Sequence, residues 1–181
     1  MTDSAPLWER DPAAWEAHLA EGNATQARKR VSADVLIRDP AGRILLVKPT
    51  YKPGWDLPGG MCEANESPAD AARREINEEL GIGIEIGRLL CVEWVPPHGP
   101  WDDLLAFIFD GGRISTDAII HLDGKEVDQY SFCTLTDAQQ RLRPRARPRL
   151  ASSLQAAERS PTAAIYLQNG KNPEPAQASD R

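Results

Sequence analysis

The sequence predicts an α/β or α+β domain, and three observations carry that expectation. Val31, Ala33, Val35 and Ile37 alternate with more polar neighbours and return after a turn, as a half-buried hairpin does. Residues 68–80 carry the start and stop signals of a helix. Strand-like segments at 84–95, 104–109 and 126–135 follow, and then two more helical patterns.

Taken in order, residues 1–30 read as an N-terminal helical appendage. Asp11 and Pro12 suit an N-cap and a first helical position, and Gly22 suits a stop. Trp8, Trp15 and Leu19 form its apolar side, for which docking on the main domain is expected and a homodimer contact is the alternative. Asp39-Pro40-Ala41-Gly42 fits a type I turn between strands, so residues 31–48 read as the hairpin. Ser67 caps the next helix, Pro68 opens it, Asp70 completes the cap and Gly81 ends it. Thr136 with Gln139 reads as a second capping box, opening a helix that must end before Pro144. Leu150, Leu154 and Ala157 suggest a final helix, and Ile165-Tyr166-Leu167 an edge strand. The main domain is thus expected over residues 31–160. Residues 161–181 form an edge segment and, from Gln168, a polar tail expected to be disordered.

Composition narrows the class. The chain has 181 residues, 41% hydrophobic and 27% charged, which suits one soluble globular domain. The longest apolar run, Leu104–Phe109, is far below the ~18 residues of a membrane helix, so no membrane partner is expected. Cys62, Cys91 and Cys133 form no CxxC pair and suit a reducing cytoplasm. With 21 basic and 27 acidic residues the net charge is −6, which argues against non-specific nucleic-acid binding. A polyanionic substrate would be met through a bound cation.

The chemistry concentrates on one helix. At about 100° per residue, Glu75, Glu78 and Glu79 fall in one sector, and Ala69, Ala72, Ile76 and Leu80 in the next. Like charges at this spacing cost about 0.2–0.5 kcal/mol per pair, and only Arg74 lies near in sequence to offset them. A solvated acidic face is the plain reading. A hard divalent cation, magnesium or manganese, would turn the repulsion into ligation. Leu57-Pro58-Gly59-Gly60 just before the helix is a tight turn where backbone approaches a ligand closely.

Gly60, Glu66, Arg74, Glu75, Ile76, Glu78, Glu79, Gly81 and Ile82 fill every fixed position of the pattern GX5EX7REUXEEXGU, with U aliphatic. Chance would supply this in one such chain with a probability on the order of 10⁻⁷ or less. The pattern is the Nudix box, and over roughly residues 30–160 the chain resembles the Nudix hydrolase family. The resemblance implies an α/β/α sandwich with a mixed β-sheet. It implies hydrolysis of a diphosphate linkage in a nucleoside diphosphate derivative, with Mg²⁺ or Mn²⁺ as cofactor and water attacking phosphorus. It assigns Glu75, Glu78 and Glu79 to the metal, with the Gly59 carbonyl as a further ligand. Arg74 would orient the catalytic glutamate, Glu66 would hold the loop, and Gly60 and Gly81 are structural.

The general base is one of the box glutamates or a later acid. Glu126 is favoured over Glu93, Asp102 and Asp103. Tyr51, Trp94 and Trp101 are candidates to stack on a base of a small-molecule diphosphate substrate. The five arginines of residues 141–149 read as a solvated basic connection between helices, with recruitment of a phosphate or RNA as the alternative. Two other readings stand beside the hydrolase: a diphosphate isomerase of the same fold, and a nucleotide-sensing module without catalysis.

Overall fold

The chain opens with α1 (Leu7–Arg10) and α2 (Pro12–Thr25). Asp11 accepts a hydrogen bond from the Ala14 amide and Pro12 takes the first turn. Gly22 does not stop the helix, which runs three residues further to a cap at Gln26. A helical glycine costs only about 1 kcal/mol relative to alanine, which the flanking turns absorb. Neither helix buries a residue, so the expected seating of Trp8, Trp15 and Leu19 on the domain is not made; Trp8 and Leu19 stay exposed. The computed structural model describes residues 5–122, 124–159 and 163–173.

The domain follows as β1 (Arg30–Arg38), β2 (Ile44–Pro49), β3 (Gly59–Met61), α3 (Pro68–Leu80), β4 (Leu89–Val95), β5 (Leu104–Arg113), β6 (Val127–Cys133), α4 (Leu135–Arg141), α5 (Ala146–Glu158) and β7 (Ile165–Gln168). The strands form one mixed sheet in the order β6-β2-β1-β5-β4-β7, and β3 also pairs with β1. Helices cover both faces. Ala33, Val35 and Ile37 pack towards Ala72, Ile76 and Leu80 of α3, whereas Leu36 joins Leu142, Leu150 and Ala156 on the side of α4 and α5. The sheet is therefore buried on both faces, and each fully covered leucine or isoleucine contributes about 1.5–3 kcal/mol. Among the described residues no helix is long and apolar enough to cross a membrane.

Three boundaries differ from the sequence reading. Residues 84–88 are not strand: the Gly87 amide donates to Asp110 O, Asp110 N donates to Arg88 O, and regular pairing starts only at Leu89. The cap of α4 is Thr134, whose hydroxyl accepts from the Asp137 amide, and not Thr136. Residues 168–173 are partly structured, with Gln168 in β7 and its amide bonded to Lys171 O; residues 174–181 of the expected tail lie outside the described residues.

The hairpin opens towards one end, and that opening positions the site. β1 and β2 register at Arg38 and Ile44, beside the turn, while the start of β1 pairs with β3 through Ser32–Met61, Ala33–Gly60 and Asp34–Gly59. The short strand brings the glycine turn against the middle of β1.

Candidate active site

Local rules fix the rotation of α3. Ser67 accepts from the Asp70 amide, Pro68 opens the helix, and Gly81 closes it in a left-handed conformation with φ 62°. With Ala72, Ile76 and Leu80 locked into the core, Glu75 and Glu79 lie one turn apart against β3, 9% and 8% exposed. Glu78 differs: its side chain is 57% exposed and turns to Arg74. The one sector expected for three glutamates is thus two inward carboxylates and one outward.

The glycines are sterically required. Gly59 has φ 134°, and a side chain there would run into the Ala33 carbonyl. A Cβ on Gly60 would strike the Glu75 carboxylate itself. The same close approach lets the Gly59 amide donate to Glu79 Oε2 at 2.9 Å. Arg74 ties loop to helix. Its guanidinium donates twice to Glu66 (2.9 and 3.0 Å), once to Glu75 (3.0 Å), once to Glu78 (2.8 Å) and once to Met61 O (3.1 Å). Glu66 also receives the Glu63 amide. The Arg74 hydrogen bond, with that amide, holds the Glu66 carboxyl below the usual carboxylate range.

The inward pair is desolvated and surrounded by other acids. Burial pushes the Glu79 carboxyl up to about 8; the Gly59 amide opposes this, and the charges of Glu75, Asp34 and Glu126 reinforce it. Burial also raises Glu75, with Arg74 opposing it and Glu78 and Glu126 adding to it. Two desolvated carboxylates that repel each other beside a backbone turn form an all-oxygen donor set suited to a hard dication. Among the described residues no group of three or more acids, histidines or cysteines is already arranged to hold a metal ion. Glu78 would complete such a group by leaving Arg74.

Glu75 and Glu79 open into a cavity of about 1080 Å³ that also takes in Gly59, Gly60, Asp34 and Glu126. Glu126 stands just before β6, its carbonyl accepting from the Thr50 amide at 2.9 Å, and it also lines a smaller recess with Glu78, Glu79 and Lys125. Its three rivals lie elsewhere. Glu93 is buried against Arg149 and the Gly170 amide, Asp103 holds Lys29 and Trp94 Nε1, and Asp102 is exposed outside the cavity. Tyr51 and Trp101 are cavity residues, and Trp101 carries the Arg30 guanidinium 4.5 Å from its ring centre. Trp94 is not, because its indole N–H is turned to Asp103 at 2.8 Å.

Sequence reasoning missed Asp34, His98 and Lys52, and it favoured a solvated connection for the run that supplies Arg143, Arg145 and Arg149; all six stand in the cavity wall. Asp34 had a legible signal, an acid in the middle of a strand between Ala33 and Val35. Burial pushes its carboxyl up to about 7, with Arg149 opposing and Asp56 reinforcing.

A family model for the NUDIX domain matches residues 28–156. A MutT-like protein of Streptomyces ambofaciens is 38% identical over 60 residues, 33% of this chain and 38% of that protein. The chain covers 24%, 38% and 57% of the lengths of three curated relatives that it matches. Among solved structures, the MutT protein from Methanosarcina mazei Go1 superposes with a TM-score of 0.63 at 25% identity, over 74% of this chain and 100% of that one. The MutT NUDIX hydrolase from Burkholderia pseudomallei gives a TM-score of 0.57 at 27% identity, over 74% and 100%.

Proposed function

The chain belongs to the NUDIX domain family, and from that premise we propose that it is a metal-dependent hydrolase of a diphosphate linkage in a nucleoside diphosphate-type metabolite, with water attacking phosphorus. The observation that carries this reading is the pair of buried, mutually repelling carboxylates, Glu75 and Glu79, set against Gly59 and Gly60 at a large cavity.

The residues fit a divalent cation. Glu75 and Glu79 would hold it, with the Gly59 carbonyl as a backbone donor and Glu78 joining once released from Arg74. A bound magnesium or manganese ion supplies Lewis-acid polarisation of phosphoryl oxygens and lowers the pKa of water. Arg74 acts as a positioning residue, since it fixes Glu75 and anchors the loop through Glu66. Glu126 lines the same cavity as Glu75 and Glu79 and is the residue proposed to accept the proton of the attacking water. Tyr51 and Trp101 offer aromatic faces to the nucleoside half.

The test is a product assay on ADP-ribose, other nucleoside diphosphate derivatives and nucleoside triphosphates, with Mg²⁺ and with EDTA. Metal-dependent release of two phosphate-bearing products from ADP-ribose, with ¹⁸O from solvent on one phosphate, is expected. Full turnover in EDTA, or label on a sugar carbon only, refutes the reading.

A further inference from the structure

The arginine run of residues 141–149 joins α4 to α5 with Arg141, Arg143 and Arg145 exposed, yet it is anchored in the fold at both ends. Leu142 and Leu150 are buried at its two ends, 1% and 0% exposed, so the chain between them is held across one wall of the cavity. Arg143, Arg145 and Arg149 line that wall, and Lys52 joins them from the segment after β2. Arg141 and Arg147 do not take part: one stacks over Trp55 at 4.9 Å and the other donates to Leu142 O.

The charges on this wall do not cancel. Asp56 is shared by Lys52, at 2.7 Å, and Arg143, at 3.3 Å, which draws two distant segments together. Arg149 is matched by buried Glu93 at 3.1 Å. Arg145, at the N-cap of α5, is exposed, and its side chain makes no ion pair or hydrogen bond among the described residues. With Arg30, five cations stand in the cavity wall, against five acids, Asp34, Asp56, Glu75, Glu79 and Glu126. The two signs are divided within one cavity, with Glu75 and Glu79 on the α3 side and Arg143, Arg145 and Arg149 on the α4–α5 side. The cations come mostly from the helical layer opposite to the one that carries Glu75 and Glu79. Exposed guanidinium forks beside a lysine form a recognised chemistry for phosphate oxygens.

We propose that Lys52, Arg143 and Arg145 form a second anion site, which takes a phosphate that the substrate carries beyond the diphosphate being cleaved. The preferred substrate is then a small, multiply phosphorylated metabolite, not one whose far half is uncharged. As a substrate assignment this rests on the hydrolase reading; as an anion site it does not.

Two measurements separate those levels. Tripolyphosphate is titrated calorimetrically into the full chain in EDTA, where the acidic end repels it. Joint replacement Arg143→Ala and Arg145→Ala should weaken binding about tenfold or more, and added KCl should weaken the wild type. Joint replacement Arg28→Ala and Arg73→Ala, outside the cavity, should leave the affinity unchanged. Binding that is indifferent to the cavity pair, or equally sensitive to the control pair, overturns the site. With Mg²⁺, the wild type should show a lower KM for ADP-ribose 2′-phosphate than for ADP-ribose, and the cavity variant should lose that preference. Equal KM values in the wild type overturn the substrate assignment. Arginine-dependent tripolyphosphate binding without metal-dependent turnover of any compound in the wider panel supports the site and removes the hydrolase reading; turnover with arginine-independent binding does the reverse.

Discussion

Asp39 in the hairpin turn and Glu79 on α3 are both removed from solvent, with Asp39 fully covered and Glu79 8% exposed, yet their carboxyls shift in opposite directions. Burial pushes both up. At Asp39 the Arg43 side chain and amide, at 2.6 and 2.7 Å, outweigh it and hold the carboxyl below its usual range. At Glu79 one amide stands against burial and three neighbouring acids, and the carboxyl rises to about 8. Two covered carboxyls with unequal depth and unequal partners thus differ in role: one holds the fold and the other awaits charge from outside.

The largest expected effect tests the second half of that contrast. Glu79→Gln should lower kcat about 10²–10⁴-fold with Mg²⁺. In EDTA the same variant should melt no lower than wild type, because glutamine removes a charge that burial disfavours. A large loss of metal-free stability would place Glu79 with Asp39.

Asp39→Asn is the mirror experiment. An amide nitrogen would face the Arg43 guanidinium, so the melting temperature should fall by a few degrees with or without Mg²⁺, while kcat is retained. An unchanged melting temperature would remove Asp39 from the stabilising class.

The pH dependence of melting in EDTA should show both signs. A raised carboxyl binds its proton more tightly in the folded state, so Glu79 adds stability as pH falls from about 8 towards the ordinary value of 4.5. Glu93, raised by burial, acts in the same direction. Asp39, and Asp103 held down by the Lys29 and Trp94 hydrogen bonds, contribute stability above the ordinary value of 3.8. That contribution drains away as pH falls through their lowered values. Melting temperature should therefore peak in the mildly acidic range, and Asp39→Asn should blunt only the acid side. A monotonic fall from pH 8 downwards contradicts the assignment.

The smallest effect is expected at Glu78. Its carboxylate is exposed and paired with Arg74, so Glu78→Gln should change metal-free stability by no more than about 0.5 kcal/mol. Its gain in melting temperature from Mg²⁺ should be smaller than that of wild type. An equal gain would leave only the two inward glutamates as candidate ligands.

The features legible in the sequence are local. Ser67-Pro68 and Gly81 fix the ends of α3 within a few residues, and apolar spacing fixes its rotation, so neighbouring residues alone suffice to place the glutamate helix. What sequence could not show depends on distant chain. Thr134 and Thr136 both open cap-like patterns, and the choice falls to Thr134 because pairing of Cys133 with Ile44 sets where β6 stops. Glu78 turns outward because Arg74, fixed by Glu66 eight residues earlier, reaches it. The arginine run reads identically whether solvated or lining a cavity; the core positions of Leu142 and Leu150 decide between them. Trp94 and Glu93 alternate on β4, and only the tertiary partners Asp103 and Arg149 show what each face meets.

The place of β7 in the sheet bears on the order in which the chain can fold during synthesis. Among the described strands β7 is the last to be synthesised, and it pairs in parallel with the outer edge of β4, Cys91 opposite Ile165. Until it emerges, that edge shows a row of unpaired amides and carbonyls, and Glu93 lacks the Gly170 amide. Closure is a long-range parallel pairing, a slow kind of step. A nascent or prematurely terminated chain that stops near the end of α5 therefore presents a ready template for strand addition by a second chain, and folding yield should depend on residues remote from the chemistry.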